Sequence, residues 1–178
     1  MNDLTSNMVS HLFITAFMVI FSSIGLSDFK WSQQPDYLDT IKFDDDKNHT
    51  LSENGRVAMH ELLKTKQFTS ARIGYIAHHS KAFKNFATLL NEKNAEPAFK
   101  NLIKNGTAEA KAYGLVALKG LNPALYNEIY PNIVNSNYKV SFQGGCSITE
   151  KLSLSELNFN RIAIWLTNEA HEHNSKIN

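Results

Sequence analysis

Residues 107–123 read TAEAKAYGLVALKGLNP, and how this stretch is taken decides the organisation of the chain. Thr107 has a side-chain oxygen able to accept the N–H groups left over at a helix start, and Asn122 with Pro123 repeats that signal for a second helix. Between them Ala110, Tyr113, Gly114, Ala117, Leu118 and Leu121 recur at the spacing of one helix face. Several of these side chains are small. The stretch therefore predicts a helix over 108–121 that lets a neighbouring helix come close.

The same signals continue on both sides. Downstream, PALYNEIYPNIV (residues 123–134) presents Tyr126, Ile129, Tyr130 and Ile133 as a face. Upstream, Pro97 opens PAFKNLIKNG, with Phe99, Leu102 and Ile103 inward and Gly106 at its end. Ser80 caps KAFKNFATLLNEK, where Phe83, Phe86, Ala87 and Leu90 fall at helical spacing. Ser52 caps SENGRVAMHELLKTK with Val57, Met59, Leu62 and Leu63 as its face, although Gly55 weakens the first turns. Joints this short put neighbouring helices antiparallel.

Residues 95–135, a short helix, a tight turn, a longer Ala/Leu-rich helix, then Asn-Pro and another helix, resemble HEAT-type helical repeats. The resemblance implies a short antiparallel α-α array that binds macromolecules through helix faces or turns, and it carries over no catalytic residue. No second copy is found in the chain.

Strand signals are few. In YKVSFQ, residues 138–143, Tyr138, Val140 and Phe142 alternate with Lys139, Ser141 and Gln143, the period of a half-buried strand. Gly144 and Gly145 permit a turn, and CSITEKLSL runs back with Cys146 and Ile148 inward. FTSARIGYIAHH, residues 68–79, fits a short strand or a helix equally. A last helix, capped by Ser153 or Ser155, carries Leu157, Ile162, Trp165 and Leu166 before fraying into NEAHEHNSKIN. The fold class expected is mainly α, with a small β-hairpin near 138–150 and a C-terminal helix.

At the N-terminus LFITAFMVIFSSIGL, residues 12–26, carries no charge. It is shorter than the roughly 20 apolar residues a bilayer-spanning helix needs, and it reads as a signal-peptide core. Small residues at Ser23, Gly25 and Ser27 suit cleavage, whereas the lack of Lys or Arg ahead of Leu12 does not. The division expected is 1–27 as signal peptide, 28–50 as an extended aromatic arm, 51–172 as one helical domain and 173–178 as a polar tail. Retention of residues 12–26 would make the protein membrane-anchored instead.

Composition narrows the function. Eighteen Lys and Arg against seventeen Asp and Glu in 178 residues give a net charge of +1, so no global field gathers nucleic acid. A single cysteine excludes an internal disulfide.

The candidate chemistry is sparse. Cys146, after two glycines, is a nucleophile only if a base such as His60, His78, His79, His171 or His173 makes it a thiolate, and no cysteine-hydrolase signature flanks it. The preferred reading is a buried hairpin residue with no histidine in reach of its sulfur. Adjacent His78 and His79 point to different faces and chelate poorly, and His171 with His173 converge only in an extended tail. No HExxH pattern occurs. Asp44, Asp46, Asn48 and Ser52 fall at calcium-loop positions one, three, five and nine, but His49 replaces the glycine and Gly55 the bidentate glutamate. Asn48 and Asn105 begin glycosylation-type triplets, the second better read as a helix stop and cap.

These features call for no cofactor or metal and favour an exported, periplasmic or secreted binding protein without catalysis. An inhibitor, an immunity-type protein or an envelope accessory factor would fit. Its partner would be another protein of the cell envelope, met through the aromatic arm and polar turns, and a thiol-dependent hydrolase using Cys146 with a histidine is the alternative.

Overall fold

In the computed structural model the described residues are 51–136 and 138–177. The signal-like segment, the arm and the acidic residues Asp44, Asp46 and Asn48 lie outside them. In chain order the elements are α1 (Glu53–Leu63), β1 (Phe68–Ile73), β2 (His78–His79), α2 (Lys81–Leu90), α3 (Ala95–Asn105), α4 (Ala108–Leu121), α5 (Pro123–Val134), β3 (Lys139–Gly145), β4 (Ser147–Ser153) and α6 (Phe159–Ser175). The described residues are mostly helical, as their periodicity predicts.

Four of the helix starts lie where the sequence puts them. Ser52 Oγ accepts from the Gly55 N–H at 3.1 Å, Ser80 Oγ from Phe83 at 2.9 Å, Thr107 Oγ1 from Ala110 at 3.1 Å and Asn122 Oδ1 from Leu125 at 3.0 Å. The cap of α6 is a correction: it is Asn158, whose side chain accepts from Arg161. Ser153 instead closes β4 opposite Lys139 and bonds the Glu156 carboxylate. The end of α6 is a second correction, because the helix runs to Ser175 and does not fray. Asn174 donates to the Ala87 carbonyl at 2.9 Å and the His173 ring packs on His79, so residues meant for a tail are held by tertiary contacts.

The hairpin is half of a larger structure. The strands form one sheet in the order β2-β1-β3-β4, with β1 parallel to β3 and the two flanking pairs antiparallel. Helices α2 to α5 all lie in the crossover between β1 and β3. Strand β1 is covered on both faces, with Phe68, Thr69, Ser70 and Ala71 all buried, so it shows no alternation. The Ser70 hydroxyl is satisfied internally: Ser70 Oγ donates to the Arg72 carbonyl at 2.7 Å and accepts from the Gly145 N–H at 3.1 Å.

Helix α4 passes through the middle, in contact with α3, α5, α6, β1 and β3. Every residue from Glu109 to Leu118 is buried, so this part of the helix has no solvent face and its single predicted stripe was too narrow. Two charges travel inside with it. Glu109 Oε1 accepts the Ser141 N–H at 3.0 Å and ties α4 to β3, while Lys111 Nζ donates to the carbonyls of Ile103 and Lys104 at the end of α3, where a cation is favoured. Elsewhere spacing misassigns single residues: Val57, Leu121 and Trp165 are exposed. Helix α1 buries Leu62 as expected but adds Gly55 and Ala58 in place of Val57, and the missing side chain at Gly55 leaves room for Glu92.

Gly114 marks a close approach of α4 to α3. A Cβ there would stand 2.6 Å from Ile103 Cγ1 and 3.0 Å from the Phe99 carbonyl oxygen. Gly114→Ala is expected to lower unfolding free energy in urea by about 2 kcal/mol through overpacking, although alanine is the better helix former. Glu109→Leu, which orphans the Ser141 N–H, should cost about 2 kcal/mol, and Glu109→Gln, which keeps an acceptor, less than about 1 kcal/mol.

Candidate functional site

Strand β1 ends in a tight turn over residues 74–77, closed by the Ala77 N–H to the Gly74 carbonyl at 3.0 Å. Gly74 has φ +74 and Ala77 has φ +50, so a non-glycine residue is held left-handed there. The two residues between are apolar and unsupported: Tyr75 is 97% exposed and Ile76 80%. Of residues 68–79, which fit a strand or a helix, the first six form a strand, but a turn lifts Tyr75 and Ile76 into solvent. The β3–β4 turn stands beside it, since the Gly74 N–H donates to the Gly145 carbonyl at 2.9 Å.

A groove of about 640 Å³ begins at the foot of this turn. Ile73 and His78, which bracket the turn, line it together with Thr69, Ser80, Asn85 and Ser141, and Lys64, Lys66 and Lys81 stand along it with Glu61. Glu61 accepts from Lys81 at 2.5 Å, and that bond holds its carboxyl below the ordinary range. On the floor, Thr69 Oγ1 lies 2.6 Å from Ser80 Oγ and 3.0 Å from Tyr113 Oη, and Tyr113 Oη accepts the Thr69 N–H at 3.0 Å. Burial pushes the Tyr113 hydroxyl up to about 12, so it stays protonated.

His79, which also lines the groove, anchors a second cluster. Its ring lies 4.8 Å from Phe83 and meets His173 edge-on at 4.9 Å. Its Nε2 is buried without a hydrogen bond, 3.8 Å from Glu169 Oε2, which in turn accepts from Arg72 Nε at 3.3 Å. Burial, then the neighbouring His173 and Arg72, lower the His79 pKa below 6.5. Sequence reading missed this cluster because helical periodicity gave no reason to carry α6 as far as His173.

The sequence candidates do not assemble into catalytic machinery. Cys146 is exposed at the apex of the β3–β4 turn, which corrects its expected burial: the turn residue has no partner strand above it and points outward. Among the described residues, no histidine hydrogen-bonds its sulfur. His78 is exposed and His79 half-buried, on opposite sides of β2, while His60 bonds Lys64 on α1. Ser52, the ninth calcium-loop position, serves as a helix cap that also bonds Glu92. Among the described residues no three His, Cys, Asp or Glu side chains converge on a metal position, and no helix is long and apolar enough to cross a membrane. No protein-family model, curated protein or solved structure matches the chain.

Two outcomes test this geometry. Gly74→Ala, whose new Cβ would lie at φ +74 and 3.3 Å from His78 Cε1, should lose about 1–2 kcal/mol in chemical denaturation, whereas Ala77→Gly should be neutral or slightly stabilising. Because the folded pKa of His79 lies below its ordinary 6.5, its stabilising contribution is complete above that pH. It falls as pH drops through 6.5 toward the folded value, with a slope of at most about 1.4 kcal/mol per pH unit. His79→Phe should flatten that part of the stability profile relative to wild type.

Proposed function

We propose that this chain is a non-catalytic binding protein that docks a partner protein on the sheet end carrying the 74–77 turn. The observation that carries the reading is the exposure of Tyr75 and Ile76 side by side on a turn with a left-handed alanine. An aromatic and a branched aliphatic side chain lifted clear of the core are what an interface buries as anchors, and backbone strain of this kind concentrates at functional sites. The polar groove at the foot of the turn supplies the kind of rim such an anchor sits within.

The apolar segment at residues 12–26 supports a periplasmic or secreted location, and its retention would anchor the protein to the membrane. The run α3–α4–α5, linked by very short joints and resembling HEAT-type repeats, would then serve as the rigid support behind the turn. An inhibitor or immunity-type protein, or an envelope accessory factor, meets this description. Exposure of Cys146 favours the alternative of a thiol enzyme to the extent that the sulfur is accessible, so the experiment includes it.

The test is affinity isolation of partners from native cells with the full chain. Tyr75→Ala should weaken the recovered complex about thirtyfold, the effect of losing a hot-spot aromatic worth about 2 kcal/mol, without lowering stability. Because the β3–β4 turn adjoins the tip, the partner should also shield Cys146 from alkylation, while Cys146→Ser leaves binding intact. Equal labelling of Cys146 in free and bound protein overturns the reading, as does ester or thioester hydrolysis by the purified chain that alkylation abolishes.

A further inference from the structure

The groove floor holds one hydroxyl proton more than the described residues accept. Tyr113, Thr69 and Ser80 bring three hydroxyl protons to a row of oxygens joined by only two links, at 3.0 and 2.6 Å. Tyr113 is fully buried and its oxygen already accepts the Thr69 N–H, so its proton goes to Thr69 Oγ1. One proton is left, on Thr69 or on Ser80. These residues are 1% and 6% exposed, and both line the groove. Ser80 Oγ also accepts the Phe83 N–H, so whichever hydroxyl keeps the spare proton is occupied as an acceptor and open only as a donor.

What this floor lacks is an acceptor oxygen, and the walls say which kind. Among the described residues Lys64, Lys66 and Lys81 face the groove against one carboxylate, Glu61, and that carboxylate is engaged by Lys81. Lys66 pairs with no described residue. A spare buried O–H beneath excess positive charge is complementary to an oxyanion, since charge-assisted hydrogen bonds are the strong ones. Continuity with the turn selects the source: Ile73 and His78 line the groove and bracket Tyr75 and Ile76, so a protein seated on the tip has its own side chains over the opening.

We propose that the groove seats an acidic side chain, an Asp or Glu carboxylate, of the docked partner, on the spare Thr69/Ser80 hydroxyl and between Lys64 and Lys66. The proposal rests on the docking reading above, but its test needs no partner. The full chain is titrated with a hexaglutamate peptide at low salt while backbone amide shifts are followed by NMR. The Thr69, Ser80 and Lys81 amides should move, the affinity should fall several-fold between about 50 and 200 mM salt, and hexaglutamine should not bind.

Ser80→Asp keeps a good N-cap and fills the floor with the protein's own carboxylate, so it should bind hexaglutamate at least tenfold more weakly with no loss of thermal stability. Lys64→Glu with Lys66→Glu should weaken it at least tenfold, and Lys93→Glu, beyond the far end of α2, should change nothing. Peptide binding unchanged in Ser80→Asp or in the double lysine variant overturns the proposal. So does binding of inorganic phosphate or anionic phospholipid vesicles at these amides in preference to the peptide. If hexaglutamate binds as stated while Tyr75→Ala leaves partner capture untouched, the docking reading alone fails. If capture depends on Tyr75 and hexaglutamate leaves these amides unmoved, only the carboxylate site fails.

Discussion

Tyr113 sits where the helical core meets the sheet, and its hydroxyl bonds across the junction. Its ring packs edge-on against Phe68 at 4.9 Å and tilts against Phe86 at 5.5 Å, and its oxygen accepts the backbone N–H of Thr69. An N–H buried at this point without an acceptor would cost about 1–3 kcal/mol. With that group satisfied, β1 can be covered by α4 on its inner side and still pair with β2 and β3 on its edges. The position of β1 then fixes the turn at 74–77 and the groove beside it. A hydroxyl at the centre of the fold is therefore also the innermost member of the polar row on the groove floor.

Burial of α4 on every side over residues 109–118 has a related consequence. A stretch of helix with no free face must account for each polar group it carries, and Glu109 and Lys111 are accounted for by backbone partners in β3 and α3. These side chains link consecutive layers of the molecule by charge-assisted bonds rather than by shape alone. Gly114 brings α3 close enough for the Lys111 ammonium to reach the carbonyls at its end. At the sheet end, by contrast, two turns stand side by side and Tyr75 and Ile76 are exposed.

Much of this architecture was legible in the sequence where the deciding interactions are local. Ser52, Ser80, Thr107 and Asn122 bond N–H groups three residues away, so a reading of capping residues finds them. The candidate site was not legible. Ile73, Tyr75 and Ala77 alternate with Gly74 and Ile76 as strand residues can, and only the left-handed backbone at Gly74 and Ala77 turns Tyr75 and Ile76 outward. The groove joins residues from α1, β1, β2, α2 and β3, and the His79 cluster adds α6; no sequence window contains such a set.

By itself the sequence determined that the chain is mainly helical, where most helices begin, that a hairpin follows residue 138, and that charge is balanced without a disulfide. Each follows from interactions spanning a few residues or from composition. Tertiary structure alone decided that β1 is a strand parallel to β3, that α4 has no outer face over residues 109–118, that α6 persists to Ser175, and that Cys146 faces solvent. The physical reason is the same in each case. These outcomes depend on which buried N–H, carbonyl or apolar surface a distant segment arrives to cover, and a chain reveals that only when folded.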